Sequence, residues 1–108
     1  MTTLTAINPT TLAARLKAGQ ATLIDIREPD DYAREHIVGA VSAPLSSLEH
    51  GRLNVEPRGD VVFHCKSGMR TNVNCAQLAA HVDRPAFMLE GGIEAWKQAG
   101  LGVERSRS

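Results

Sequence analysis

Along this chain, compact apolar runs alternate with longer stretches whose apolar residues recur at helical spacing. The runs Thr3–Ile7, Ala21–Ile26, Val61–Phe63 and Pro85–Leu89 predict strands. Val61–Phe63 is the tightest, with the β-branched and aromatic character of a strand covered on both faces. Between the runs, Asn8 and Pro9 supply a cap and a first-turn proline for a helix over Thr10–Ala18, with Leu12, Ala13 and Leu16 inward and Gly19 closing it. Pro29–Glu35 predicts a short helix with acids in its first turn, where the helix dipole favours them. His36–Pro44 reads as a turn into a brief edge strand limited by its proline, Leu45–His50 as a short helical piece, and Arg52–Asp60 as a surface loop. Thr71–Ala80 predicts a helix capped by Thr71. Glu90, Gly91 and Gly92 form a turn before a last helix, Ile93–Ala99, which carries Trp96 and ends at Gly100. From Val103 onward the chain is polar and reads as a frayed tail. Strands alternating with helices predict an α/β fold with a largely parallel sheet.

The 108 residues suit one domain, taken as 1–103 with a polar tail at 104–108. Aromatic residues are only 4% of the chain, so the core rests on Leu, Ile, Val and Ala. Twelve basic and twelve acidic residues cancel, which gives no global attraction to nucleic acid or to an anionic membrane. Any preference for an anion is therefore local. No signal peptide and no apolar run of membrane-spanning length is apparent. The two cysteines, Cys65 and Cys75, form no CxxC pair and suit a reducing compartment. The expected location is the cytoplasm, either for a separate protein or for the cytosolic domain of a membrane-tethered one.

The candidate chemistry lies between strand Val61–Phe63 and the helix at Thr71. Cys65, Lys66, Ser67, Gly68, Met69 and Arg70 put a nucleophile, two cations, a hydroxyl and a glycine into one loop. A loop wrapped at a helix N-terminus turns backbone N–H groups toward one point, where the dipole also favours negative charge. An ordinary cysteine thiol is only about 3% ionised at neutral pH, and such a setting shifts the balance to the thiolate. Cys65 is thus the expected nucleophile. In parallel sheets ligands sit beyond the C-terminal strand ends, and Asp25-Ile26-Arg27 falls at another such end. These residues alone leave a phosphatase, a thiol redox protein and a sulfur carrier all standing.

Three segments resemble the rhodanese (sulfurtransferase) domain. Asp25-Ile26-Arg27, followed by Tyr32, His36-Ile37, Gly39-Ala40 and Pro44, is similar to the family's Asp-x-Arg and His-Ile-x-Gly-Ala pattern. Cys65 to Arg70 matches Cys-x-x-Gly-x-Arg, and Gly91-Gly92 to Trp96 matches Gly-Gly-x-x-x-Trp. The resemblance implies a five-stranded, mostly parallel sheet with helices on both faces. It also implies an enzyme of the thiosulfate:cyanide sulfurtransferase class, needing no cofactor and no metal. Cys65 would take a sulfane sulfur from a small anionic donor such as thiosulfate, or from a persulfide, and pass it to cyanide or a thiol. A protein is an equally compatible donor or acceptor. Lys66, Ser67, Gly68, Met69 and Arg70 would bind the substrate, and Asp25 and Arg27 would support the loop. Nucleic acid is not an expected partner, and the chain has no membrane span of its own.

Rival readings concern particular residues. A cysteine phosphatase or arsenate reductase also uses Cys, Arg and a helix N-terminus, but the related phosphatases have one more residue between Cys and Arg than the four here. A non-catalytic regulatory or sulfur-relay module that docks on a partner is the other alternative, although docking domains often lack the cysteine. Cys75 on an apolar helix face, His64 beneath the loop, His36 in its turn and Trp96 under the glycines all read as structural. The scattered histidines and cysteines make no metal-site pattern.

Overall fold

The computed structural model describes residues 4–49, 57–67, 71, 75–82 and 84–105. Strands β1 (Thr5–Ile7), β2 (Ala21–Asp25), β4 (Val41–Ser42), β5 (Asp60–His64) and β6 (Ala86–Leu89) form a sheet in the order β1-β6-β5-β2-β4, parallel throughout. Two short strands, β3 (His36–Ile37) and β7 (Val103–Glu104), make a separate antiparallel pair. The helices are α1 (Pro9–Lys17), α2 (Pro29–Arg34), α3 (Leu45–Glu49), α4 (Cys75–Ala79) and α5 (Gly92–Gln98). This is the expected α/β architecture with a five-stranded parallel sheet.

Local chemistry explains where the elements begin and end. The Asn8 side chain accepts from the Thr11 N–H at 2.8 Å and Pro9 opens α1, so cap and proline act as the sequence suggests. Gly19, with φ of 71°, then turns the chain toward β2. Alternate residues of β2 and β5 enter opposite layers, because successive strand side chains point to opposite faces. Leu23 and Val62 join Ile7, Leu12, Leu89, Ile93 and Trp96 in one cluster, so α1 and α5 cover that side. Ile24, Val61 and Phe63 join Ile26, Leu48, Leu78 and Cys65 in the other, which brings in α3 and α4. Each fully buried aliphatic or phenyl side chain of this kind contributes about 1.5–3 kcal/mol relative to an exposed one.

Two details depart from the sequence reading. Val103–Glu104 is not frayed: it pairs with His36–Ile37, and Val103 packs against the core. The polar composition hid this, because a two-residue strand has no periodicity to detect. Thr71 does not cap its helix; it is itself helical and fully buried, and its Oγ1 has no hydrogen-bond partner among the described residues. Most of the predicted loop at Arg52–Asp60 and the side chain of Cys75 lie outside the described residues. No helix among the described residues is long and apolar enough to cross a membrane.

Candidate active site around Cys65

Strand β5 lies in the middle of the sheet and delivers Cys65 at its C-terminal end, where the thiol-bearing residue is 2% exposed and packed against the Phe63 cluster. The chain emerges immediately afterward, and Lys66 and Ser67 are exposed. Gly68, Met69 and Arg70, the other expected substrate-binding residues, lie outside the described residues. Among the described residues no group of three or more His, Cys, Asp or Glu side chains is placed to hold a metal ion.

The start of the cysteine loop is tied to α5. Ile93 N–H donates to the Cys65 carbonyl at 3.0 Å, and Glu94 N–H donates to the Lys66 carbonyl at 3.1 Å. A trans peptide sets its N–H opposite its C=O. Holding these two carbonyls on α5 therefore turns the Lys66 and Ser67 N–H groups to the side away from that helix. Gly92 makes the approach possible: it has φ of 62°, and a Cβ there would collide with the carbonyl oxygens of Cys65 and Lys66. Sequence inspection identified the glycine pair as a turn and missed that it lets α5 close on the Cys65–Lys66 backbone. The signal available was the glycine pair itself, since glycine is the residue that permits a positive φ and a close backbone approach.

Asp25 and Arg27 stand at the neighbouring strand end. Asp25 is level with His64 in the β2–β5 register, and Ile26 N–H donates to the His64 carbonyl at 3.0 Å. The Asp25 carboxylate is fully buried and accepts from Arg27 Nη2 at 2.7 Å, from Nε at 3.0 and 3.1 Å, and from the Arg27 backbone N–H at 2.9 Å. Arg27 Nη2 also donates to the Glu35 carbonyl at 2.6 Å, which ties the end of α2 to the same pair. The structure thus brings Asp25 and Arg27 to the end of the sheet that carries Cys65, with His64 between. His64 is wholly buried; its Nδ1 lies 3.2 Å from the Cys65 carbonyl and its Nε2 3.6 Å from Asp25 Oδ2. Burial holds His64 below the ordinary imidazole range despite the opposing pull of Asp25 and of the Cys65 carbonyl. It is therefore neutral at pH 7.

The His36 segment forms a second polar knot. Its ring stacks on Tyr32 at 3.9 Å, Nδ1 bonds the Tyr32 carbonyl at 2.8 Å, and Nε2 meets Glu104 Oε1 at 3.1 Å. Burial, followed by the charges of Asp25 and Glu104, raises the Tyr32 hydroxyl above its usual value. That hydroxyl stays protonated and donates to the Ala40 carbonyl at 2.7 Å. Trp96 is core, as expected, and its indole N–H reaches the Gly102 carbonyl at 2.9 Å.

Comparison with known proteins now decides the family. The model of the rhodanese-like domain matches residues 8–99, from the α1 cap to the end of α5. The chain belongs to the rhodanese-like domain family. It is 35% identical over 102 residues to the uncharacterized protein slr1261 of Synechocystis, covering 94% of this chain and 57% of that protein. A protein of Allochromatium vinosum named sulfurtransferase is 33% identical over 81 residues, which cover 75% of this chain and 76% of that one. Among solved structures, thiosulfate sulfurtransferase from Pseudomonas aeruginosa superposes with a TM-score of 0.79 at 31% identity, covering 97% of this chain and 20% of its own. This rhodanese-like domain spans about half the length of the first curated relatives it matches, 57% of one and 44% of the next.

Proposed function

We propose that this rhodanese-like domain is a sulfurtransferase that carries sulfane sulfur on Cys65. The observation that supports it most directly is the clamp on the loop. With the Cys65 and Lys66 carbonyls held by α5, the N–H groups of the same peptides are preoriented away from that helix before any substrate arrives. Preorganised donors of this kind stabilise an anionic sulfur without reorganisation during the reaction. The names of the Allochromatium and Pseudomonas proteins support the same reaction class.

In the proposed cycle the Cys65 thiolate attacks the outer sulfur of thiosulfate. A new S–S bond forms, the S–S bond of the donor breaks, and sulfite leaves with the bonding electron pair. The persulfide then gives its outer sulfur to cyanide or to a thiolate, and the Cys65 thiolate is restored. No proton or redox cofactor is needed in either step. Lys66 and Arg70 attract the anionic donor, and the Arg70 guanidinium can grip two of its oxygens. Ser67 supplies a hydroxyl, and Gly68 and Met69, a conformationally free residue and a soft apolar one, complete the proposed substrate-binding set. Asp25 and Arg27 act indirectly, by fixing the strand ends beneath the loop. A glutathione persulfide or a protein persulfide enters the same cycle as donor.

Burial of Cys65 to 2% exposure is the observation that favours the regulatory form of the rival reading, a docking module that transfers no sulfur, over either a sulfurtransferase or a sulfur relay. Intact-protein mass spectrometry after incubation with thiosulfate separates the two. The expected result is the gain of one sulfur atom, lost again on adding cyanide with release of thiocyanate, and absent in Cys65→Ser. An unmodified wild-type protein with every sulfane donor offered defeats the proposal.

A further inference from the structure

We propose that His64 is a positioning residue for the Cys65 nucleophile, acting through a hydrogen bond from its Nδ1–H to the Cys65 carbonyl. The inference deepens the sulfurtransferase reading and rests on Cys65 being its nucleophile. Three observations carry it. The ring is completely buried directly beneath the loop, so solvent cannot substitute for a lost protein partner. Its Nδ1 and the Ile93 N–H converge on one acceptor, at 3.2 and 3.0 Å, so the Cys65–Lys66 peptide plane is fixed from two directions. Its Nε2 is one of two buried side-chain polar atoms among the described residues that have no hydrogen-bond partner. The other, Thr71 Oγ1, follows the same loop. An orphaned polar atom in a protein interior is costly and calls for a reason. A phenylalanine or leucine would fill the space without that cost.

The reason lies at the other nitrogen. A side chain that only filled space between β5 and β2 has no use for a donor at Nδ1. That donor holds the carbonyl whose peptide partner, the Lys66 N–H, is the first backbone donor after the nucleophile. Asp25 and Arg27 set the ring from the opposite side. Nε2 sits 3.6 Å from Asp25 Oδ2, too far for a hydrogen bond, while Asp25 is already engaged by Arg27 on both oxygens. Among the described residues these two are the charged groups that act on the ring. Strand β6, on the other side of β5, brings only Ala86, Phe87, Met88 and Leu89, none of them ionisable. His64 therefore connects a rigid buried ion pair to the peptide that follows the nucleophile.

The test compares His64→Asn with His64→Phe. The amide nitrogen of asparagine occupies nearly the position of Nδ1 and keeps the donor; phenylalanine keeps the ring and removes it. Two rates are measured at pH 8 on the full chain: alkylation of the Cys65 peptide by iodoacetamide, and sulfur loading from thiosulfate. Losing one buried hydrogen bond of ordinary strength should slow both by about tenfold in His64→Phe. His64→Asn should restore most of each rate, and a nitrogen-15 spectrum of the wild type should show the ring proton on Nδ1. Should His64→Phe not fold, the asparagine variant and the spectrum still decide. Wild-type alkylation in His64→Phe, a His64→Asn as slow as the phenylalanine variant, or a ring proton on Nε2 would each overturn the proposal. If the alkylation ranking appears but no variant, including wild type, takes up sulfur, the positioning role stands and the sulfurtransferase reading is the part that fails.

Discussion

Two buried histidines, one at each polar knot, have opposite accounts. His36 is 4% exposed and both of its ring nitrogens have partners, the Tyr32 carbonyl and the Glu104 carboxylate. His64 is 0% exposed, and among the described residues only Nδ1 has a partner at hydrogen-bond distance. The first links α2 to the C-terminal strand, with an oxygen within hydrogen-bond distance of each ring nitrogen. The second sits between the buried Asp25–Arg27 pair and the residue that carries the thiol. Proteins satisfy buried polar groups wherever structure is the only demand, and local exceptions concentrate at functional sites. The contrast between a ring with an oxygen at each nitrogen and one with an oxygen at hydrogen-bond distance of Nδ1 alone separates a fastening from the proposed working part.

The most damaging way to test this contrast is to remove the charge on which the His64 side depends. In Arg27→Ala the Asp25 carboxylate loses three of its four hydrogen bonds while remaining buried, and the Glu35 carbonyl loses its donor. Removing one partner of a buried ion pair typically costs about 3–5 kcal/mol. Urea denaturation should show a loss of that size, and Cys65 alkylation should slow in the fraction still folded. A loss below about 1 kcal/mol, the range of exposed pairs, would mean that the pair does not hold the strand ends together.

The sheet and its flanking helices, and the candidate nucleophile loop, were legible in the sequence because each rests on local signals. Asn8 and Pro9 start α1, the run Val61–Phe63 can only be a covered strand, and the loop from Cys65 onward has a composition with few other uses. The supports of the site were not legible, for they depend on contacts between distant segments. Nothing near Ile93 or Glu94 in the chain says that their N–H groups will meet the Cys65 and Lys66 carbonyls. His64 read as packing because the Asp25 level with it across the sheet is set by strand register, which no single segment encodes. The β3–β7 pair was lost for the same reason: Val103–Glu104 is a strand only because His36–Ile37 offers it an edge.

The pH dependence of stability sharpens the comparison further. Burial holds the folded-state pKa of His64 below that of the unfolded chain, so below about pH 6.5 the unfolded chain takes up a proton that the folded one resists. The folded state is therefore favoured less as pH falls from that point toward the folded-state pKa, with a slope that one proton limits to about 1.4 kcal/mol per pH unit. His64→Asn cannot titrate and should lose this component. Thermal midpoints between pH 7.5 and 5 should accordingly fall less steeply in His64→Asn than in the wild type. Parallel curves would show that the ring does not resist protonation in the folded protein, and the neutral Nδ1–H form would lose its basis.

The smallest expected effect belongs to His36. The Glu104 side chain is 52% exposed, so solvent screens whatever charge the pair carries, and exposed pairs of this kind contribute at most about 1 kcal/mol. Glu104→Gln removes the charge but keeps an amide able to accept from or donate to Nε2, leaving the β3–β7 backbone pairing untouched. The loss should be under about 0.5 kcal/mol, a fall of roughly 2–4 °C or less in Tm for a domain near this size. Cys65 alkylation should be unchanged, because nothing in this knot touches the peptide that His64 and Ile93 hold. A slower Cys65 in Glu104→Gln would mean that the C-terminal strand communicates with the loop, and the division between a fastening histidine and a working one would have to be abandoned.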